Sequence, residues 1–244
     1  MKPEIIQQLL DLNQRFYADY GPAFAATRRR LQPGVVRAAE VLAGAQTWLD
    51  LGCGSGELAR GLARTGFVGT YLGLDSSAQL LEEARQNAPA WAAYRLADLA
   101  SPAWDAGLEP GVWEAVTCFA VLHHLPGRAA RLDLLHKAHR LLAVGGRLVF
   151  SVWQFQHSPR LMERRQPWEQ VGLTEGDLEI GDTLLDWRYT LPGQPEQAGL
   201  RYVHLFSREE LAELADASRF KLTAEYESDG AGGRLGLYQV WQGI

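Results

Sequence analysis

The sequence predicts an α/β domain built on a doubly wound parallel sheet, and three observations predict it. Short apolar runs alternate with segments of helical period along residues 46–153. Three successive runs, Thr47–Leu51, Thr70–Asp75 and Ala93–Asp98, each carry an aspartate at or near the carboxyl end: Asp50, Asp75 and Asp98. The first run is followed at once by Gly52, Gly54 and Gly56, a tight turn that lets the backbone come close to a ligand where open α/β sheets bind theirs.

The elements follow in order. Ile5, Leu9, Leu12 and Phe16 recur at helical spacing over Pro3–Tyr20, and Gly21-Pro22 is the expected stop. A second helix follows Pro33-Gly34 and ends near Gly44. Strands are expected at Thr47–Leu51, Tyr71–Asp75, Tyr94–Ala97, Ala115–Phe119 and Arg147–Trp153, with helices near Leu58–Arg64, Ala78–Asn87 and Ala129–Leu142. Ala143-Val144-Gly145-Gly146 reads as the turn into the fifth strand. Ser207 and Glu210 form a capping box for a helix over Arg208–Ala217, and strands near Lys221–Tyr226 and Leu237–Trp241 complete a seven-stranded sheet. Residues 154–206, rich in Trp, Arg, Pro and Gly, are far longer than an ordinary connection and read as a lid or substrate-binding insertion. The expected organisation is one domain: a helical cap over 1–45, a ligand-binding core over 46–153, the insertion over 154–206, and the last helix and terminal strands over 207–244.

Residue chemistry narrows the ligand. At the lip of such a sheet Asp75 is placed to accept from both hydroxyls of a ribose, and Asp98 from the exocyclic amine of an adenine. A dinucleotide is the rival. Its G-x-G-x-x-G fingerprint needs a glycine where Glu57 stands, and a pyrophosphate would lie beside Asp50 and Glu57. Two carboxylates disfavour an anion and favour an ammonium or sulfonium group, which S-adenosylmethionine carries. An ordinary strand-to-helix turn is the plain alternative for the glycine trio alone.

The string LDLGCGSG, then GLD closing the second strand, then AD, then a fourth strand running into FAVLHHL, resembles the class I S-adenosylmethionine-dependent methyltransferases over roughly residues 35–153. The resemblance implies a Rossmann-like sheet whose final strand runs antiparallel. It also implies a cofactor site of Tyr17, Arg28, Asp50, Gly52, Cys53, Gly54, Gly56, Asp75, Ser76, Asp98, Leu99, Phe119 and Leu122. In it the glycine loop lies on the methionine part, Asp75 on the ribose and Asp98 on the adenine, and Phe119 to His124 line the transfer site.

A narrower resemblance rests on Phe16-Tyr17, Thr27-Arg28, Ala120–Leu125, Ser151-Val152-Trp153 and Arg201–Phe206, which together are similar to methyltransferases that esterify 5-carboxymethyluridine at the tRNA wobble position. It implies Tyr17, Arg28, His124 and Arg201 near cofactor and substrate, tRNA as partner, and relatives that work with a small zinc-binding activating subunit. The stretch Arg234–Tyr238 lacks the Asn-Trp character expected there. His124, Arg28 and Arg201 are the candidate catalytic residues, and His123, Trp153, Arg188, Tyr202 and His204 the candidate substrate-binding ones. A carboxylate acceptor, with an ordinary pKa near ~4, needs aiming by arginines and no base. A hydroxyl acceptor needs a base, for which His123 or His124 is the candidate.

Composition bounds the remaining choices. With 244 residues and 47% hydrophobic content the chain can bury one substantial core. No run of 18 apolar residues and no signal peptide is present, so a soluble, cytoplasmic protein away from membranes is expected. Cys53 and Cys118, the two cysteines, exclude a disulfide framework and a cysteine-rich metal site; Cys53 reads as a small residue filling the turn, and no metal is expected. The net charge of −5 supplies no global field for nucleic acid. A local basic rim is expected from Arg28, Arg29, Arg30, Arg37, Arg128, Arg131, Arg160, Arg164 and Arg165, against solvated faces balanced by acids. Four functions stay open: the tRNA ester-forming enzyme, a small-molecule O- or N-methyltransferase, a non-catalytic S-adenosylmethionine-binding partner protein, and a nicotinamide oxidoreductase.

Overall fold

A computed structural model of the chain describes residues 1–26, 30–189 and 196–244. Strands β1 (Thr47–Leu51), β2 (Thr70–Asp75), β3 (Ala92–Leu96), β4 (Trp113–Phe119) and β5 (Leu142–Trp153) run parallel, joined by helices α3 (Glu57–Arg64), α4 (Ala78–Gln86) and α5 (Arg128–Leu141). Helix α7 (Arg208–Ala217), β9 (Phe220–Ser228) and β10 (Gly236–Gly243) close the chain. Strand order is β3-β2-β1-β4-β5-β10-β9, with β10 antiparallel to both neighbours. The seven-stranded doubly wound sheet expected from the sequence is therefore present, antiparallel strand included. Among the described residues no helix is long and apolar enough to cross a membrane.

Period-two alternation sorts side chains between the two faces of the sheet. Leu49, Leu51, Val116, Cys118, Leu148 and Phe150 pack with Leu134, Leu135 and Leu141 of α5 and Leu211 and Leu214 of α7. Trp48, Ala115 and Val149 face the other way, against Leu58 and Leu62 of α3 and Val35 and Ala38 of α2 (Pro33–Val41). On that second face Asp50 and Thr117 take their turn in the alternation, which brings a buried carboxylate to the carboxyl edge of the sheet.

Two expectations need correction. Helix α1 (Pro3–Ala26) runs past Gly21-Pro22. Strand β5 begins at Leu142, so the expected turn at residues 143–146 lies inside it, and its register against β4 shifts between Trp113 and Ala115. The insertion carries a sheet of its own. After the short α6 (Pro159–Met162), β6 (Arg165–Gln166), β7 (Asp182–Tyr189) and β8 (Gln197–His204) pair antiparallel in the order β6-β7-β8. This sheet is covered on both faces: Leu184 and Tyr202 pack with Ile5 and Leu9 of α1, while Leu185 and Val203 pack with Trp153 and Phe155. Adjacent Leu184 and Leu185 are both buried, so the alternation that signals a half-exposed strand is missing from the sequence.

An ion cluster bolts the insertion to the core. Arg131 of α5 is fully buried; its Nε donates to the Leu125 carbonyl, and its guanidinium reaches Glu179 at 3.0 Å, Glu210 at 3.1 Å and the Tyr202 hydroxyl at 3.0 Å. His204 lies between Asp182 at 2.6 Å and Glu210 at 2.9 Å. Burial pushes the His204 pKa down, and the bonds to Asp182 and Glu210 outweigh it, so the net shift is upward. Glu179, Asp182 and His204 lie close enough to hold a cation, but the Arg131 guanidinium already reaches both carboxylates.

Candidate active site

The carboxyl edge of β1, β2 and β4, the loops that follow them and one stripe of α1 enclose a cavity of about 620 Å³. Helix α1 divides its residues by angle: Ile5 and Leu9 are buried toward the insertion, whereas Gln7, Leu10, Gln14 and Tyr17, three or four apart, line the cavity, and Asn13, buried between the two faces, reaches its wall as well.

The glycine turn fits close approach of a ligand. Gly52, at φ +78°, has Val121 Cγ2 at 2.2 Å from where a Cβ would stand, so no side chain fits. Gly54, at φ +53°, has nothing within 4 Å of that position and lines the cavity, so backbone there faces the space a ligand takes. Gly56 lies behind the wall, its missing Cβ within 2.7 Å of the Tyr94 hydroxyl, and opens α3. Cys53 packs its Sγ over Gly73; burial pushes its thiol well above the ordinary range, with Asp50 and Asp75 adding to the rise, so it is a protonated filler.

Three acids stand at three depths. Asp50, 3% exposed, accepts from the Tyr71 hydroxyl at 2.6 Å and the Thr117 hydroxyl at 2.8 Å. Burial pushes its pKa up to about 6 against those two bonds, with the Asp75 charge helping. Asp75 accepts from the Gly54 N–H and the Ser77 N–H, both at 2.9 Å, tying the end of β2 to the glycine turn. Its pKa is raised by burial and pulled back by the N–H groups of Ser77, Gly54 and Ser76. Asp98 is exposed and accepts from the Ala100 N–H.

The Asp50 shift has a measurable sign. Its folded pKa of about 6 exceeds the ordinary 3.8, so the folded chain holds this proton more tightly. The resulting stabilisation is complete below the lower value and lost as pH rises through the upper one. Asp50→Asn, which cannot ionise, is expected to be more stable than wild type at pH 8 by on the order of 3 kcal/mol, with the gap closing toward pH 4. Urea unfolding at the two pH values checks this. A carboxylate held here at a cost to stability suits a cationic ligand, and the same variant is expected to bind S-adenosylmethionine more weakly.

Beyond β4 the chain turns sharply. Ala120 has φ +55°, a strained value for a residue with a Cβ, and its N–H is held by the Ser151 hydroxyl at 3.0 Å. The two histidines that follow lie in different surroundings. His123 is fully buried; its Nδ1 accepts from the Trp153 N–H and its ring lies 5.0 Å from that of Trp153. His124 lies at the cavity wall. Its Nδ1 is 3.1 Å from the Tyr202 carbonyl and its Nε2 is 2.9 Å from the Tyr17 hydroxyl. A carbonyl only accepts, so Nδ1 carries the proton, and in the neutral ring Nε2 presents its lone pair to Tyr17.

Of the residues expected at the site, Tyr17, Asp50, Gly52, Cys53, Gly54, Asp75, Ser76, Asp98, Leu99, Phe119, His124 and Trp153 line this cavity. Others stand off its wall. Leu122 and His123 are core residues, and Tyr202 and His204 belong to the ion cluster, since their side chains lie on the Asp182 side of β8. Arg188 is exposed and donates to Asp186 at 2.9 Å. Arg201 is buried with its guanidinium 4.5 Å from the Trp153 ring and 5.2 Å from that of Phe16. Arg28 and Arg29 lie outside the described residues. The expected basic rim loses Arg131 to the buried cluster, Arg128 pairs with Glu213, and Arg37 stacks on Tyr226. Among the described residues the wall instead carries six carboxylates, Asp11, Asp50, Glu57, Asp75, Asp98 and Asp229, against one guanidinium, Arg30.

Sequence reasoning missed Gln7, Gln14, Ser151, Asp229 and Tyr238, all on the wall. The polar stripe at positions 7, 14 and 17 of α1 was a readable signal. Asp229, which accepts from the Tyr238 hydroxyl at 2.5 Å, and Tyr238 flank the turn of the β9–β10 hairpin, which only the fold brings to the cavity.

The family described as methyltransferase domain matches residues 24–225. The ubiquinone biosynthesis O-methyltransferase of Alkalilimnicola ehrlichii is 38% identical over 112 residues, 42% of this chain and 40% of its own. The chain thus spans about two fifths of that relative's length. A mouse tRNA (carboxymethyluridine(34)-5-O)-methyltransferase is 25% identical over 157 residues, covering 63% of this chain and 22% of its own. Among solved structures, an amino pentose methyltransferase from Micromonospora echinaspora with S-adenosylmethionine bound superimposes with a TM-score of 0.63 at 24% identity, covering 89% of this chain and 95% of its own, a likeness of fold.

Proposed function

Because the chain belongs to the methyltransferase-domain family, we propose that it moves a methyl group from S-adenosylmethionine to the hydroxyl oxygen of a small acceptor that is neutral or cationic. One observation carries this reading: His124 stands at the cavity wall with Nδ1–H on the Tyr202 carbonyl and Nε2 on the Tyr17 hydroxyl. A phenol-like hydroxyl, with a pKa near ~10, must give up its proton as the new bond forms. The proton passes to the Tyr17 oxygen while the Tyr17 proton moves to His124 Nε2, and the imidazolium so formed keeps its Nδ1–H on the carbonyl. A carboxylate acceptor would leave that arrangement without a task.

The glycine turn, Asp50, Asp75 and Asp98 would hold the cofactor, and bound there it supplies an electrophilic methyl group on a positively charged sulfur. Six wall carboxylates attract that charge and oppose an anionic acceptor.

A second reading keeps the cofactor and changes the acceptor to the carboxymethyl group of a wobble uridine in tRNA. The 157-residue similarity to the mouse enzyme favours it. One experiment separates them: radiolabelled S-adenosylmethionine is incubated with the protein and either total tRNA or a small-metabolite extract. Label in small molecules that is stable to mild base and lost in His124→Ala supports the hydroxyl reading. Base-labile label in tRNA would overturn it in favour of the ester.

A further inference from the structure

Strand β8 is the edge of the insertion sheet, and the edge would leave the Tyr202 backbone without a strand partner. Asn13 of α1, 6% exposed, takes that place with its side chain. Its Oδ1 accepts from the Tyr202 N–H at 2.8 Å, and its Nδ2 donates to the Tyr202 carbonyl at 3.1 Å and to the His124 carbonyl at 3.3 Å. The carbonyl it holds is the one that receives His124 Nδ1–H. One carboxamide therefore fixes both ends of that contact, the acceptor on β8 and the backbone that carries the imidazole.

From this geometry we propose that Asn13 is a positioning residue that holds His124 in the Nδ1–H tautomer and so keeps Nε2 basic and aimed at Tyr17; the inference rests on the reading of His124 as the base. A carbonyl has two lone pairs, and here one serves Asn13 and the other His124. Losing the first lets the Tyr202 peptide turn on the edge of its sheet, and the acceptor of the His124 Nδ1–H moves with it. The same carboxamide couples the base to the lid-side elements, since Asn13 lies on α1, Tyr202 on the insertion and His124 on the core sheet's own turn. A purely structural asparagine would be insensitive to which ring nitrogen carries the proton.

The test reads the tautomer directly, in the protein complexed with S-adenosylhomocysteine. Imidazole ¹⁵N shifts of His124, assigned by difference from His124→Gln, are compared between wild type, Asn13→Ala and Asn13→Asp. Asn13→Asp keeps an acceptor for the Tyr202 N–H and sets a carboxylate oxygen, which only accepts, where the donor to the two carbonyls stood. The expected result is a single Nδ1–H form in wild type and loss of that single form in both variants, with S-adenosylhomocysteine affinity changed less than tenfold. Persistence of the Nδ1–H form in both variants would overturn the role of Asn13 while leaving His124 as the base. Loss of S-adenosylhomocysteine binding in both would also overturn it, by showing that Asn13 serves the fold. An Nε2–H form already present in wild type would overturn the reading of His124 itself, and that of Asn13 with it.

Discussion

Replacing His124 with alanine is expected to lower kcat for methyl transfer by roughly 10²–10⁴-fold while the affinity for S-adenosylhomocysteine stays within a few-fold of wild type. The size follows from the role. A base that receives a proton in the transition state contributes nothing to holding the cofactor, and His124 meets Tyr17 and the Tyr202 carbonyl rather than the glycine turn. Acceptor chemistry supplies the control. A nitrophenol, already ionised at neutral pH, needs no base, so the loss is expected to shrink by an order of magnitude or more with such an acceptor. Equal losses with both kinds of acceptor would remove His124 from proton transfer. His123→Gln should behave differently, costing stability with little selective effect on kcat, because His123 is packed against Trp153 inside the core.

How much of this was readable in the sequence depended on which physical signal each part leaves. The sheet was legible because short apolar runs carrying Asp50, Asp75 and Asp98 at or near their carboxyl ends recur at the spacing of strand-helix units. Gly52 and Gly54 were legible for the same local reason: the turn needs left-handed backbone, which only glycine adopts cheaply. The insertion was legible only as a long connection. Its strands are buried on both faces, between α1 and Trp153, so no alternation marks them, and their register is set by partners far away in the chain. The basic rim was overcounted for a related reason. Sequence counts charge but not depth, and Arg131 is buried where carboxylates meet it. Choosing between the adjacent His123 and His124 needed their tertiary partners, Trp153 beside the first and Tyr17 with the Tyr202 carbonyl on the second.

Asp75→Ala is expected to weaken S-adenosylhomocysteine binding by roughly 10²–10⁴-fold. The carboxylate already organises its surroundings: it holds the Gly54 N–H on one oxygen and the Ser77 N–H on the other, each at 2.9 Å. Hydrogen bonds to a charged group are worth about 1.5–3 kcal/mol each, and every 1.4 kcal/mol is about tenfold in affinity. Removing the carboxylate therefore takes away the ribose acceptor and loosens the turn that the cofactor must lie on, in one step. Asp98 is the comparison that gives the number meaning. It is exposed, holds one N–H of its own loop and makes no bond to the glycine turn, so Asp98→Ala is expected to cost no more than about tenfold, the worth of one partly solvated hydrogen bond. Calorimetric titration of both variants measures the difference. If the two losses were equal, Asp75 would be acting only as a second contact to the nucleoside. A loss at least tenfold larger for Asp75 identifies it as the residue that shapes the turn as well as binding across it, because its carboxylate holds backbone N–H groups, which offset part of the cost of its burial, and no alanine can hold them.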